Sequence, residues 1–315
     1  MQKRLKIIII GFGSIGRRHL HNISTIMKRR GIEYSIDLLR SGKGNTIDET
    51  SAKMVDKIYY YGDTIPVNYD IAFITNPTFM HFETIKYFLD KANHMFIEKP
   101  VFNQSNLPIE TLILNKNSIY YVACPLRYSN VIQYLKKNID ISKVYCARAI
   151  SSSFLPEWRA GADYRNTYSA HREQGGGVSI DLIHEWDYLV SLFGLPEQVY
   201  NIKGKFSDLE IDSDDLSVYI AKYPHMAVEL HLDYFGKKSI REIQLFMQDD
   251  TLVGDLINCE IRFLRSNKSI NLKECRNDFQ LREIEHFFDI VFGLVPNDND
   301  ISLALTVLKL AEGEI

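Results

Sequence analysis

Cysteine is scarce and scattered. Cys124, Cys146, Cys259 and Cys275 are the four cysteines in 315 residues, and none forms a CxxC pair. This excludes a zinc ribbon, a thioredoxin-type motif and a disulfide scaffold, and it leaves reduced thiols of a cytoplasmic protein as the expectation. An excess of either charge is also missing. With 37 Lys and Arg against 40 Asp and Glu, the net charge is −3, so no whole-molecule field recruits nucleic acid or an anionic membrane. Long apolar runs are absent too. The opening MQKRLKIIIIGFGSIGRRHL imitates a signal peptide, but glycines break its Ile run and Arg17 and Arg18 follow, so it reads as a first strand. Nothing approaches the ~18 apolar residues of a membrane-spanning helix. Only 17 Gly and 9 Pro are present, too few for a fibrous or disordered chain. What remains is 45% hydrophobic and 24% charged, an ordinary globular composition at a length that suggests two domains.

From Leu5 to about Ala123, short β-rich runs alternate with amphipathic stretches, the pattern of parallel βαβ units. Strands are expected at Lys6–Ile10, Ser35–Arg40, Lys57–Tyr60, Asp70–Thr75, His94–Ile97 and Ile119–Ala123. Phe79, Phe82, Ile85, Phe88 and Leu89 fall near helical spacing and mark a crossover helix. After Asn138 the pattern changes to a strand at Lys143–Ser151, an irregular stretch and one helix from about Glu173 to Phe193. The strands Gln198–Lys205, Leu216–Lys222, Ala227–Tyr234 and Glu242–Met247 then follow without helices between them, so their sheet should be mostly antiparallel. Helices at Phe279–Phe292 and Ile301–Glu312 close the chain. The fold class is α/β: a doubly wound parallel sheet over residues 1–124, then an α+β domain with a largely antiparallel open sheet over 125–315, its final helices free to pack back on the first domain.

Ile7–Ile10 runs directly into Gly11-Phe12-Gly13-Ser14-Ile15-Gly16, and a helix follows from Arg17. In this strand-turn-helix setting GxGxxG is a dinucleotide fingerprint. Gly11 permits the tight turn, Gly13 admits a pyrophosphate, Gly16 lets helix and strand approach, and the helix N-terminus offers N–H groups. The end of the second strand, where NAD-binding folds place an acidic ribose ligand, reads Asp37-Leu38-Leu39-Arg40-Ser41-Gly42-Lys43. Asp37 lies early, whereas Arg40 and Ser41 suit a 2′-phosphate, so NADP is expected and NAD is the second choice. A strand end displaced by a few residues would return Asp37 to the ribose.

Glu98-Lys99-Pro100 closes the fifth strand. Ligands gather outside the carboxyl ends of such strands, and a lysine there can donate to, or exchange a proton with, a substrate oxygen. A solvated strand-end lysine satisfies the same letters. In the second domain, Gly175-Gly176-Gly177 precedes a helix that sets Val178, Leu182, Trp186, Leu189 and Phe193 opposite a polar stripe of Asp181, His184, Tyr188 and Ser191. Asp181 and His184 at i, i+3 can present a carboxylate and an imidazole to one point. A solvated polar face is the plain alternative for His184. No third ligand at metal spacing accompanies the pair, so no metal is expected.

GFGSIG after the first strand, EKP after the fifth and GGG…D…H…D in the second domain, taken in order, resemble the glucose-fructose oxidoreductase, inositol dehydrogenase and rhizopine-catabolism (Gfo/Idh/MocA) family along nearly the whole chain. Thr75-Asn76-Pro77, with His81, is similar to the family's loop along the nicotinamide ribose, and Pro125-Leu126-Arg127-Tyr128 to a segment whose arginine faces the active site. The resemblance implies a Rossmann domain, a C-terminal domain whose open sheet mediates homodimers or homotetramers, and hydride transfer between a nicotinamide and a sugar, cyclitol or related carbinol. It implies that Phe12, Ser14, Ile15, Glu98, Lys99 and Arg127 also line the cofactor, that Lys99 holds and protonates the substrate oxygen, that His184 is the acid/base, and that Asp181 binds a hydroxyl or orients the histidine. Two residues separate Asp181 from His184, where the family spacing has three, so Asp181 and Asp187 both stand as partners of the histidine.

The stretch Leu155 to Arg165, with Tyr168 to Arg172, resembles a subgroup tied to bacterial surface-sugar biosynthesis. Trp158 and Tyr164 can stack on sugar or base, while Arg159, Arg165 and Arg172, with Arg241 a further candidate, can hold phosphate or carboxylate. This suits a nucleotide-activated or nonulosonic sugar, with Arg127 as a further substrate contact. A surface loop with packed aromatics and solvated arginines fits the same residues. Other readings are a cyclitol dehydrogenase and a non-catalytic sensor, since a galactose-pathway co-repressor shares the family fold.

Overall fold

The structure is a computed structural model that describes residues 4–43 and 46–314. Its first strands are β1 (Leu5–Ile10), β2 (Tyr34–Arg40), β3 (Lys57–Tyr60), β4 (Tyr69–Ile74), β5 (Ala92–Ile97) and β6 (Tyr120–Val122). They align β3-β2-β1-β4-β5-β6, with every neighbouring pair parallel. Strand order reverses at β1 and β4, which places the crevice of a doubly wound sheet beside the glycine turn. Ile7–Ile10 and Ile71–Ile74 are buried throughout, which is why these segments read as unbroken apolar runs. Helix α1 (Ser14–Arg30) turns Leu20, Ile23, Ile26 and Met27 inward. Each such side chain contributes roughly 1.5–3 kcal/mol by leaving water. Two shorter helices follow, α2 (Glu49–Ala52) and α3 (His81–Phe88), the latter entered through a 3₁₀ turn at Thr78–Met80.

After α4 (Asn130–Asn138) the chain forms β7 (Val144–Phe154), α5 (Val178–Asp181) and α6 (His184–Phe193). It continues through β8 (Gln198–Gly204), β9 (Leu216–Lys222), β10 (Ala227–Asp233), β11 (Phe235–Met247), β12 (Thr251–Asp255), β13 (Glu260–Phe263) and β14 (Lys268–Asn271). These eight strands order as β14-β13-β12-β11-β7-β10-β9-β8 and are antiparallel except for the β7/β10 pair. Helices α4, α5 and α6 pack on the sheet. The chain ends with α7 (Asp278–Val291) and α8 (Ile301–Glu312).

Contacts divide the chain into two units, residues up to Ala123 with Leu281–Leu305, and Cys124–Gln280 with the residues from Thr306. In the first unit Phe287 packs edge-on against Phe73 and Phe96, Arg30 pairs with Asp289 at 2.8 Å, and Asn299 Nδ2 donates to the Val122 carbonyl at 2.7 Å. In the second, Tyr219 donates to the Ala311 carbonyl at 2.6 Å.

The single helix expected from Glu173 to Phe193 is broken. Gly175 and Gly177 take φ of 79° and 130°, α5 starts only after them, and Leu182 at φ −97°, ψ 27° interrupts the ladder before α6. The strands β12 to β14 were not legible: runs such as Glu260–Phe263 and Lys268–Asn271 are too short and polar for a period to emerge.

Candidate active site

The three glycines of the first turn do different work. Gly11 has φ +90°, and a Cβ on it would lie 2.7 Å from the Asn76 backbone. A Cβ on Gly16 would collide with the Gly11 carbonyl. Nothing lies within 4 Å of the Cβ position of Gly13, so protein packing does not require that glycine, and the space beside it suits the approach of a phosphate. Ser14 is exposed beside Gly13, and the start of α1 has no side-chain cap, an arrangement open to an anion.

β2 ends at Arg40, which makes Arg40 and Ser41 the strand tip. Asp37, within the strand, accepts a hydrogen bond from Tyr69 at 2.7 Å. Burial, then this carboxylate, push the Tyr69 hydroxyl well above its ordinary pKa. Guanidinium groups from Arg17 and Arg40 lie 5.5 and 5.8 Å from the Phe12 ring centre. Arg17 also pairs with Asp48 at 3.1 Å.

Thr75 ties the end of β4 to the glycine turn, its hydroxyl facing the carbonyls of Ile10 at 2.9 Å and Gly11 at 2.8 Å. Pro77 leads into the 3₁₀ turn. Asn76 donates to Thr84 at 2.7 Å, while its buried Oδ1 has no protein partner, an acceptor beside the glycine turn that fits a ribose hydroxyl. His81, expected among the cofactor contacts, lies beneath the Asn76 loop. It is 1% exposed, with Nε2 3.0 Å from the Asn76 carbonyl and Nδ1 3.1 Å from that of Val101. Burial holds its pKa below the ordinary value despite these carbonyls.

Glu98 and Lys99 follow β5. The carboxylate of Glu98 turns inward, with Oε1 2.5 Å from His19 Nε2 and Oε2 accepting the Lys99 N–H at 3.2 Å. Burial raises the Glu98 pKa, but the His19 hydrogen bond, the Lys99 charge and the Lys99 N–H outweigh it and hold the carboxyl below its ordinary value. His19 was not identified from the sequence. Its only signal is a polar residue on the apolar side of α1.

In the second unit, every residue from Gly176 to Val190 is buried except His184. Of the expected polar stripe, Asp181 and Tyr188 are buried, while His184 and Ser191 are partly exposed. Asp181 accepts a 2.5 Å hydrogen bond from Tyr234 and interacts with the Tyr168 hydroxyl. Asp187 receives both Nε and Nη2 of Arg127, at 3.0 and 2.7 Å. This buried bidentate pair joins Arg127, expected to face cofactor and substrate, to Asp187, one of the two candidate partners of His184.

The arginines of the following loop are likewise engaged. Arg165 pairs with Asp163 at 2.8 Å and with Glu210 at 2.6 Å on the surface. Arg241 pairs with buried Glu185 at 2.8 Å. Trp158 donates to Ser153 and stands edge-on to Tyr234, Arg159 lies over the Tyr168 ring, and Tyr164 accepts the Glu210 N–H. Leu155, Trp158, Arg159, Tyr164 and Thr167 border a small surface depression of about 10 Å³, room for a single water. Among the described residues, no three His, Cys, Asp or Glu side chains are grouped to hold a metal ion.

Residues 5–107 match the family described as "Oxidoreductase family, NAD-binding Rossmann fold". No curated protein matches by sequence. Solved structures share the fold. UDP-N-acetylglucosamine 3-dehydrogenase from Acidithiobacillus ferrooxidans is 18% identical, with a TM-score of 0.74 over 98% of this chain and 96% of that one. An oxidoreductase from Thermotoga maritima is 17% identical, with 0.79 over 99% and 96%. A levoglucosan dehydrogenase in complex with NADH is 14% identical, with 0.82 over 99% and 96%.

Proposed function

We propose, from the premise that residues 5–107 are the NAD-binding Rossmann domain of the Gfo/Idh/MocA oxidoreductase family, that the chain transfers hydride between NADP and a hydroxyl or keto group of a sugar. The strand tip carries the cofactor choice: β2 ends on Arg40, and Asp37 is tied to Tyr69, so a guanidinium stands where NAD-binding folds place a carboxylate. Gly11, Gly13 and the start of α1 would hold the pyrophosphate, and Asn76 Oδ1 a ribose hydroxyl. A bound nicotinamide supplies the hydride donor or acceptor. Lys99 would hold the substrate oxygen and exchange its proton, His184 would act as acid/base, and Asp181, oriented by Tyr234, would position a hydroxyl or the imidazole.

The sugar we favour is nucleotide-activated or nonulosonic, of the kind used in cell-surface glycans. The grouping of Trp158, Arg159 and Tyr164 on one surface supports it, as does the UDP-sugar named for one structural relative. A second copy of the chain is the proposed protein partner, and the cytoplasm the proposed location.

Fluorescence titration with NADPH and NADH tests the cofactor reading. We expect at least tenfold preference for NADPH, about 1.4 kcal/mol, lost in Arg40→Ala. A preference for NADH would return the ribose to an acidic ligand, and binding of neither would end the oxidoreductase reading. With UDP-N-acetylglucosamine and NADP as the first assay, followed by a sugar panel, Lys99→Ala and His184→Ala should each lower turnover by roughly 10²–10⁴-fold. Wild-type turnover in both would remove them from the mechanism.

A further inference from the structure

Three groups stand in line beneath the end of β5. His19, on the inner side of α1, is 1% exposed, and its ring packs against both Phe73 and Phe96 at centroid distances of 5.8 and 5.1 Å. Its Nε2 faces Glu98 Oε1 at 2.5 Å, and its Nδ1, also buried, has no hydrogen-bond partner. A proton on Nδ1 would be a buried N–H without an acceptor, so the geometry assigns the tautomer that donates from Nε2. The other carboxylate oxygen of Glu98 accepts the N–H of Lys99 at 3.2 Å. Glu98 is thus held at both oxygens, in a place where an unpaired carboxylate would be costly.

We propose that His19 and Glu98 form a buried positioning pair for Lys99. His19 orients the carboxylate, and the carboxylate fixes the Lys99 backbone and sets a negative charge one residue from the lysine. The inference rests on the reading of Lys99 as the proton-transfer group, and it adds the device that holds that lysine ready. The charged or titratable groups facing Glu98 are His19 from α1, Lys99 from its own loop and His81 from α3. Of these, His81 is engaged by the Asn76 and Val101 carbonyls, so His19 is left as the group that orients Glu98. The stacked rings of Phe73 and Phe96, 5.0 Å apart, complete the wall around the imidazole. A buried donor and acceptor linked in this way should act as one unit, so that removing either has the effect of removing both.

The test reads the lysine directly and needs no substrate. The pH profile of Lys99 acylation by acetic anhydride is followed peptide by peptide by mass spectrometry in the full chain. Glu98→Gln should move the Lys99 profile to lower pH by about one unit, the size expected when a neighbouring carboxylate charge is lost. His19→Phe keeps an aromatic ring but removes the donor, so the stranded carboxylate protonates or turns to solvent and the profile moves the same way. His19→Gln, which restores an N–H, should keep the wild-type profile. In Glu98→Gln, the added His19→Phe change should move it no further. A merely structural loosening would change labelling at many lysines without displacing this one profile. Circular dichroism and thermal unfolding identify variants that remain folded, and His19→Leu, which also lacks the donor, takes the place of His19→Phe if that variant does not fold. An unmoved profile in Glu98→Gln, or a full additional shift in the double variant, overturns the pair. Normal turnover in Lys99→Ala would instead overturn the reading of the lysine, which the labelling profile does not depend on.

Discussion

Arg127 and Asp187 show what residue type alone leaves out. A guanidinium in a segment resembling an active-site loop invites assignment to a ligand, yet here two N–H groups are matched to two carboxylate oxygens at 3.0 and 2.7 Å, with side-chain exposures of 6% and 11%. Such a pair contributes little net stability over an apolar one, but breaking it strands a buried charge at a cost of about 3–5 kcal/mol. Arg127→Ala or Asp187→Ala should therefore lower stability by that order in urea unfolding, while a paired replacement such as Arg127→Met with Asp187→Leu recovers much of it. Equal, small losses in both single variants would show that the pair is solvated. Sequence reading located features that follow from local order: Gly11 and Gly16 sit in the tight turn their spacing predicts, and Arg40 ends β2. It missed pairings such as His19 with Glu98, 79 residues apart, because no local period encodes who meets whom across a sheet.

At the scale of elements, the strands and helices with strong periods were legible to within a residue or two, as in Lys57–Tyr60, Leu216–Lys222 and Ile301–Glu312. The break before and within the segment from Glu173 to Phe193 was not, because its cause lies elsewhere in the chain. Asp214 reaches the start of α5, where its carboxylate accepts the Ser179 N–H at 3.0 Å and its carbonyl the Val178 N–H at 2.9 Å. It fits there because residue 177 lacks a Cβ, which would collide with Asp214 Oδ1. Gly177 also holds φ +130° and ψ 147°, a region essentially reserved for glycine. Gly177→Ala should thus cost about 1–3 kcal/mol for the backbone, plus part of the cap. Because α5 ends on Asp181, we expect the loss in thermal midpoint to be accompanied by a raised KM for the sugar, with NADPH affinity unchanged. A stable variant with unaltered kinetics would show that α5 does not depend on this fit.

For the whole molecule, the eight-stranded sheet raises a question that its own unit answers only on one side. Ala147, Ala149, Tyr219, Leu230, Ile243 and Leu245 are buried. Tyr200 pairs with Ile220 and Ile202 with Val218 across β8 and β9, and Tyr200, Ile202 and Ile220 remain 63%, 68% and 46% exposed. Next in the same row, Glu229 and Arg148 pair at 3.2 Å. Apolar residues beside a rim of opposite charges form a surface that can complement a copy of itself through a two-fold axis. If the proposed homo-oligomer uses this face, light scattering after size exclusion should give a dimer or larger assembly for wild type. Ile220→Glu, and more strongly Ile202→Glu with Ile220→Glu, should shift it toward monomer, because a charge desolvated in an apolar contact without a partner is strongly unfavourable. The two substitutions lie on exposed strand positions, so the NADPH affinity of the dissociated chain should stay at the wild-type value. A wild type that is monomeric at all concentrations would refute the partner, and an assembly unmoved by both charges would place its interface on another face.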